Sequence, residues 1–245
     1  MKIAGIEKTS FVDFPGKLAA VLFTPGCNLD CFYCHNRSLL GGTGRFETYY
    51  PETLMEWLKE RAGFLDGVVI TGGEPTLQPD LAAFIRRIRT VGYAVKLDTN
   101  GTRPGLLGDL VNERLLDFVA MDLKAPMEKY EAFCGAPVDH GAINASIDLL
   151  LSDRVDYEFR ATVVPQLTED DLVAMSRRIR GAKRFVLQQY RRPEPFDGFT
   201  DPRLDDTPHS PEWAARVALR LEDFVACCET RGFGLERSAA VAASS

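Results

Sequence analysis

Cys27-Asn28-Leu29-Asp30-Cys31-Phe32-Tyr33-Cys34-His35-Asn36 places three cysteines in one short loop, three residues apart and then two. That spacing lets a loop turn its sulfurs toward one centre without regular secondary structure, so a metal centre is the expected occupant. The number of sulfurs bears on the kind of centre. A structural zinc site takes four closed ligands, and His35 serves as the fourth only by folding back from beside Cys34. A cubane iron–sulfur cluster can instead take three thiolates and leave one iron open to the nitrogen and oxygen atoms of a ligand. A zinc loop and an isolated group of reactive thiols remain the alternatives.

The rest of the chain limits the choice. With 245 residues, 45% of them hydrophobic, it can bury the core of one large domain, and single α/β barrels reach this size. A net charge of −6 argues against broad nucleic-acid binding. Six cysteines, three of them crowded for ligation, do not form a secreted disulfide framework. Cys134, Cys227 and Cys228 read as small buried hydrophobes. Residues 1–17 hold no apolar core of signal-peptide length and no stretch approaches a membrane span, so a cytoplasmic protein without membrane or nucleic-acid partners is expected. One domain over 1–237 is expected, with the small-residue run 238–245 as a disordered tail.

Strand and helix patterns alternate along the chain. Lys2 to Lys17 reads as a leading strand or hairpin turning at Phe14-Pro15-Gly16, and Leu18 to Thr24 as a buried strand that delivers the cysteine loop. Gly41-Gly42-Thr43-Gly44 is a flexible connection. Further strands are expected over 67–71, 93–99, 117–123, 157–164 and 184–189, with helices between them. The arginines Arg86, Arg87 and Arg89 fall on the outer face of one helix, and Thr168-Glu169-Asp170-Asp171 has a capping-box pattern. A last helix is expected to carry Trp213, Val217, Leu221, Phe224 and Cys228 on one face. Six such alternations imply an α/β fold, a partial (β/α)6 TIM-like barrel. Too few strands for closure should leave a lateral opening for a peptide loop, with the 191–211 loop at its border or simply on the surface.

Chemistry in parallel barrels gathers at the carboxyl ends of the strands. Polar residues fall there: the cysteine loop, Gly72-Gly73-Glu74-Pro75, Asp98-Thr99-Asn100-Gly101, Asp122 with Lys124, Arg160, and Gln188-Gln189. Asp122 and Lys124 alternate on an otherwise apolar strand and so point to one side. A charge facing a barrel interior is costly without a partner, and either a zwitterionic ligand or the opposite member of the pair would supply one. His140 reads as a surface residue.

Cys-x3-Cys-x2-Cys with an aromatic before the last cysteine resembles the signature of the radical S-adenosylmethionine (SAM) superfamily. The stretches from Thr9 to Lys17, Phe23 to Asn28 and Tyr33 to Asn36 are similar to the activating enzymes of glycyl radical enzymes, above all the activating protein of anaerobic ribonucleoside-triphosphate reductase and, near it, pyruvate formate-lyase activase. The resemblance implies a [4Fe-4S] cluster on Cys27, Cys31 and Cys34 whose open iron chelates SAM. It implies that the reduced cluster cleaves SAM to a 5′-deoxyadenosyl radical that takes a hydrogen atom from a partner glycine, and that a flavodoxin- or ferredoxin-type donor supplies the electron. It further implies SAM contacts at Gly72, Gly73 and Glu74, whose glycine backbone accepts the amino group, at Asp98 and Asn100, and at Asp122, Lys124 and Arg160. Tyr33, His35 and Gln189 complete the implied cofactor-binding residues. The inserted ferredoxin-like segment of some activases is absent, so one cluster is expected. A radical SAM enzyme of a small molecule, such as a deazapurine synthase, is the runner-up, and a non-enzymatic metal-binding protein the other alternative.

Overall fold

The computed structural model of the chain describes residues 1–40 and 48–234; the connection expected at Gly41-Gly42-Thr43-Gly44 and the tail expected at 238–245 lie outside the described residues. Its strands are β1 (Gly5–Ser10), β2 (Ala19–Thr24), β3 (Gly67–Gly72), β4 (Ala94–Thr99), β5 (Phe118–Asp122), β6 (Asp156–Val163), β7 (Phe185–Gln189) and β8 (Cys228–Arg231). Helices α1 (Pro51–Glu60), α2 (Leu81–Thr90), α3 (Pro104–Asn112), α4 (Tyr130–Cys134), α5 (His140–Leu151), α6 (Glu169–Arg178) and α7 (Pro211–Leu221) alternate with them. Two compact units result, one comprising Met1–Asp30, Asn36–Met121 and Val138–Tyr157, the other Cys31–His35, Asp122–Pro137 and the chain from Glu158 onward.

In the first unit β1 pairs antiparallel with β2, and β2, β3, β4 and β5 follow in parallel. Strand β2, Ala-Ala-Val-Leu-Phe-Thr, buries almost every residue, as a parallel strand covered on both faces must. The register sets Val21 opposite Val69, Val69 opposite Lys96 and Lys96 opposite Phe118, which aligns these four side chains on one face at one level. Near the strand starts, Phe14 packs with Ala19, Val21 and Val69, flanked by Phe23, Ala94 and Phe118. Phe14 therefore both opens the turn, accepting from Lys17 N at 3.1 Å, and buries its ring. On the outer face, Arg87 pairs with Glu52 at 3.3 Å, Arg89 with Asp117 at 2.6 Å, and Arg86 with Glu113. This arginine run is a solvated helix face.

In the second unit β6, β7 and β8 are parallel, with Phe159 opposite Phe185 and Phe185 opposite Cys228. The capping box of α6 is present: Thr168 Oγ1 accepts from Asp171 N, and Asp171 accepts from Thr168 N.

Three elements differ from the sequence reading. The leading strand and the six strands that follow it are present as β1 to β7, and one more, β8, follows among the described residues. Cys228 does not share the α7 face, since that helix ends at Leu221 and the chain turns before β8. The spacing of Leu221, Phe224 and Cys228 imitates a continued helix, and only pairing with β7 shows the last of them to be a strand residue. Helix α4, a single turn and a half stopped by Gly135 at φ +61°, was hidden in the β5–α5 connection. His140 is half-buried at the start of α5 rather than fully on the surface. No helix among the described residues is long and apolar enough to cross a membrane.

Phe14→Ala empties the plug beneath the strands of the first unit. It should lower unfolding stability by about 3–5 kcal/mol, measurable by urea denaturation of the metal-free chain.

Candidate functional site

The cysteine loop begins where β2 ends, and backbone hydrogen bonds fix that exit. Gly73 N donates to Thr24 O and Glu74 N to Gly26 O, each at 2.8 Å, while Gly26 N donates to Leu39 O at 2.7 Å. Gln78 Nε2 reaches Pro25 O and Asn36 Nδ2 reaches Gly72 O, both at 2.9 Å. The two glycines are demanded by this close approach. Gly72 has φ +119°, and a Cβ there would lie 2.3 Å from Thr24 N; a Cβ on Gly73 would lie 2.1 Å from Gly26 O.

Glu74 is fully buried, and its carboxylate gathers the neighbouring tip. Oε1 accepts from Thr76 N at 3.0 Å, from Thr99 Oγ1 at 2.8 Å and from Thr76 Oγ1; Oε2 accepts from Asn100 N at 2.7 Å. Burial pushes this carboxyl up in pKa, against the downward pull of the Thr76, Asn100 and Thr99 donors. Asn100 in turn spends its side chain on the cysteine loop: Nδ2 donates to Asn28 Oδ1 at 3.0 Å and approaches Cys27 Sγ at 3.8 Å, and Oδ1 accepts from Thr102 Oγ1 at 2.7 Å. Thus Gly72, Gly73, Glu74 and Asn100 stand together as the support of Cys27. Asp98, half-buried two residues earlier on β4, accepts from Lys96 Nζ at 2.6 Å.

The second unit holds the other motif residues. Asp122 bridges two cations, accepting from Arg160 Nε at 2.8 Å and Lys124 Nζ at 3.1 Å. Burial alone would raise the Asp122 carboxyl, but Arg160 and then Lys124 outweigh it and hold it far below the usual carboxylate range. Lys124 is drawn down by burial and raised, on balance well above its ordinary value, by Asp122, Tyr33 and Cys31. Tyr33 is pushed up by burial and by Cys31. The Cys134 thiol, hydrogen-bonded to Cys31, and the Lys124 ammonium overcome burial and bring the Cys31 thiol down to about 7. His35, exposed as a residue, is lowered in pKa by partial desolvation of its ring against an opposing bond to the Arg191 backbone. Gln189 ends β7, with the Gly232 backbone alongside.

Sequence reasoning overlooked Lys96 and Cys134. Lys96 has a signal of its own: Lys and Asp alternate on β4 as Asp and Lys do at 122 and 124, and Lys96 is only 1% exposed. Cys134 has none, because its contact with Cys31 depends on how α4 packs. Cys134 and Cys228 are buried and Cys227 half-buried, all three as thiols, in keeping with small apolar residues. Among the described residues no three His, Cys, Asp or Glu side chains converge as ligands of a single ion.

Residues 21–179 match the Radical SAM superfamily. A candidate glycyl-radical enzyme activating enzyme of Methanocaldococcus jannaschii is 34% identical over 203 residues, 80% of this chain and 82% of that protein. A candidate GTP 3′,8-cyclase of Pyrococcus abyssi is 36% identical over 121 residues, which are 48% of this chain and only 38% of the cyclase. Among solved structures, Streptococcus suis SuiB bound to S-adenosylmethionine superposes with a TM-score of 0.64 at 14% identity, over 86% of this chain and 52% of that one. The chain belongs to the radical SAM superfamily. Its fold is the superfamily's α/β, partial TIM-like barrel, and it is a radical SAM enzyme whose cofactors are a [4Fe-4S] cluster and SAM.

The residues present fit those cofactors. A thiol brought down as that of Cys31 is suits thiolate ligation, and Cys31 would hold an iron in that form. The Asp122, Lys124 and Arg160 group offers one anion and two cations, a match for the ammonium and carboxylate of a methionine end.

Lys96→Met leaves the Asp98 carboxylate without this ammonium in a buried strand. A loss of about 3–5 kcal/mol in chemical denaturation is expected, most of it recovered in the double variant with Asp98→Asn.

Proposed function

We propose that the chain is a cytoplasmic activase, a single radical SAM domain over 1–237, that creates a glycyl radical on a partner enzyme. Anaerobic ribonucleoside-triphosphate reductase is the partner its motifs fit, and a flavodoxin- or ferredoxin-type protein is the proposed electron donor. The observation that carries this reading is the extent of the likeness to the M. jannaschii protein, four-fifths of both chains. The cyclase likeness covers less than half of either.

In this reading Cys27, Cys31 and Cys34 hold the cluster. When bound, the cluster and SAM supply one-electron cleavage and hydrogen-atom abstraction, chemistry that belongs to the cofactors. The protein's share is placement. Lys124 and Arg160 present cations to the methionine carboxylate, and Asp122, kept ionised by both, orients them. Gly72 and Gly73 offer backbone, held by Glu74, to the ammonium group. Asp98 and Asn100 face the nucleoside end, with Tyr33, His35 and Gln189 as further contacts. No general acid or base is required.

A second reading, a radical SAM enzyme of a small nucleotide-derived substrate, draws support from the cyclase likeness. One anaerobic experiment separates the two. Reconstituted protein mixed with reductant, SAM and the anaerobic reductase should yield a glycyl doublet by electron paramagnetic resonance. Cys31→Ala should lose most bound iron and the doublet with it, whereas Lys124→Ala should keep its iron and bind SAM more weakly. Turnover of a nucleoside or pterin with no protein radical would discard the activase reading in favour of the second.

A further inference from the structure

The long connection after β7 carries an arginine whose position no motif assigned. Arg203 lies with its guanidinium carbon 3.8 Å from the centre of the Phe32 ring. Phe32 is the residue between Cys31 and Tyr33, only 3% exposed, and its other neighbours are the Phe133 ring at 5.9 Å and the Tyr33 ring at 5.0 Å, both edge-on. Arg203, partly exposed, is tethered there. Its Nε and one terminal nitrogen fork onto the two oxygens of Asp201 at 2.9 and 2.7 Å, and the other terminal nitrogen donates to Ala132 O at 2.9 Å. Asp201 is itself fixed, accepting from Arg203 N at 2.9 Å at the start of a 3-10 turn over Pro202–Asp205. That turn is anchored again from two sides: Gln166 Nε2 donates to Arg203 O at 2.9 Å, and Tyr190 Oη to Leu204 O at 3.2 Å.

Between Cys31 and Cys34 the backbone runs outside helices and strands and turns with Cys34 N donating to Cys31 O at 3.0 Å. Thiolates on a cluster must keep fixed separations, and in such a loop side chains held from outside help to keep them. A planar cation on an aromatic face, with both of its edges already engaged, fixes the ring in position and in tilt.

We infer that Arg203, aimed by Asp201 and Ala132, is a positioning residue that clamps the cysteine loop through Phe32, making the 202–205 turn a structural part of the cluster site. The inference rests on the proposed ligand role of Cys31 and Cys34. The clamp brings the Arg203–Asp201 ion pair close to the loop as well as stiffness. Since the reduced cluster is the more negative state, replacing Arg203 leaves the Asp201 carboxylate behind and makes reduction harder.

Arg203→Ala tests the clamp at two levels. In the metal-free chain, amide hydrogen exchange over residues 27–36 should quicken roughly tenfold, a readout independent of any cluster. In anaerobically reconstituted protein, a chelator should strip iron faster from Arg203→Ala than from wild type, and the midpoint potential should fall. Arg203→Lys, which keeps a cation over the ring without the fork, should lie between the two. Arg192→Ala removes an exposed pair with Asp205 in the same connection and should match wild type in every measurement. Unchanged exchange in Arg203→Ala overturns the clamp whatever the cofactor. Quickened exchange with wild-type iron retention and potential overturns its role at the cluster. Wild-type protein that takes up no iron while the exchange effect persists overturns the proposed ligand role instead.

Discussion

A single buried carboxylate organises the strand tips of the first unit. Glu74 accepts four hydrogen bonds, two from backbone and two from hydroxyls, so its burial is compensated only while Thr76, Thr99 and Asn100 stay where they are. The constraint runs outward from there. Asn100, fixed by its backbone N–H, reaches Asn28 and the Cys27 sulfur; Glu74 N, fixed by its own side chain, reaches Gly26 O. The start of the cysteine loop is therefore tied to two strand tips by way of one side chain, and glycine at 72 and 73 is what lets the backbones come close enough.

Charge in the second unit is arranged on a different principle. Asp122 sits between Arg160 and Lys124 and accepts from both in a partly buried place, so each charge there is met by an opposite one. The Cys134 hydrogen bond, helped by Lys124, lowers the Cys31 thiol, whereas burial, against the pull of Lys124, raises Tyr33 and Tyr130. Lys96 and Asp98 on β4 are a one-to-one pair.

The sequence by itself determined the alternation of strands and helices, because a buried parallel strand such as Leu18 to Thr24 must be apolar throughout and each amphipathic helix declares its inner face. It determined that polar residues stand at strand ends, and that three cysteines share one loop, since these are facts of order along the chain. The capping box at Thr168 and the solvated arginines of α2 were legible for the same reason: each is a local pattern within four residues. Only tertiary structure decided what those residues touch. That Glu74 turns inward to hold Asn100, that Cys134 donates to Cys31, that Arg203 covers Phe32, and that Cys228 belongs to β8 all depend on segments separated by 26 to 171 residues in the chain and brought together by packing. Periodicity cannot carry such information, because a spacing of three or four residues fixes which face a side chain occupies but not which partner that face will meet.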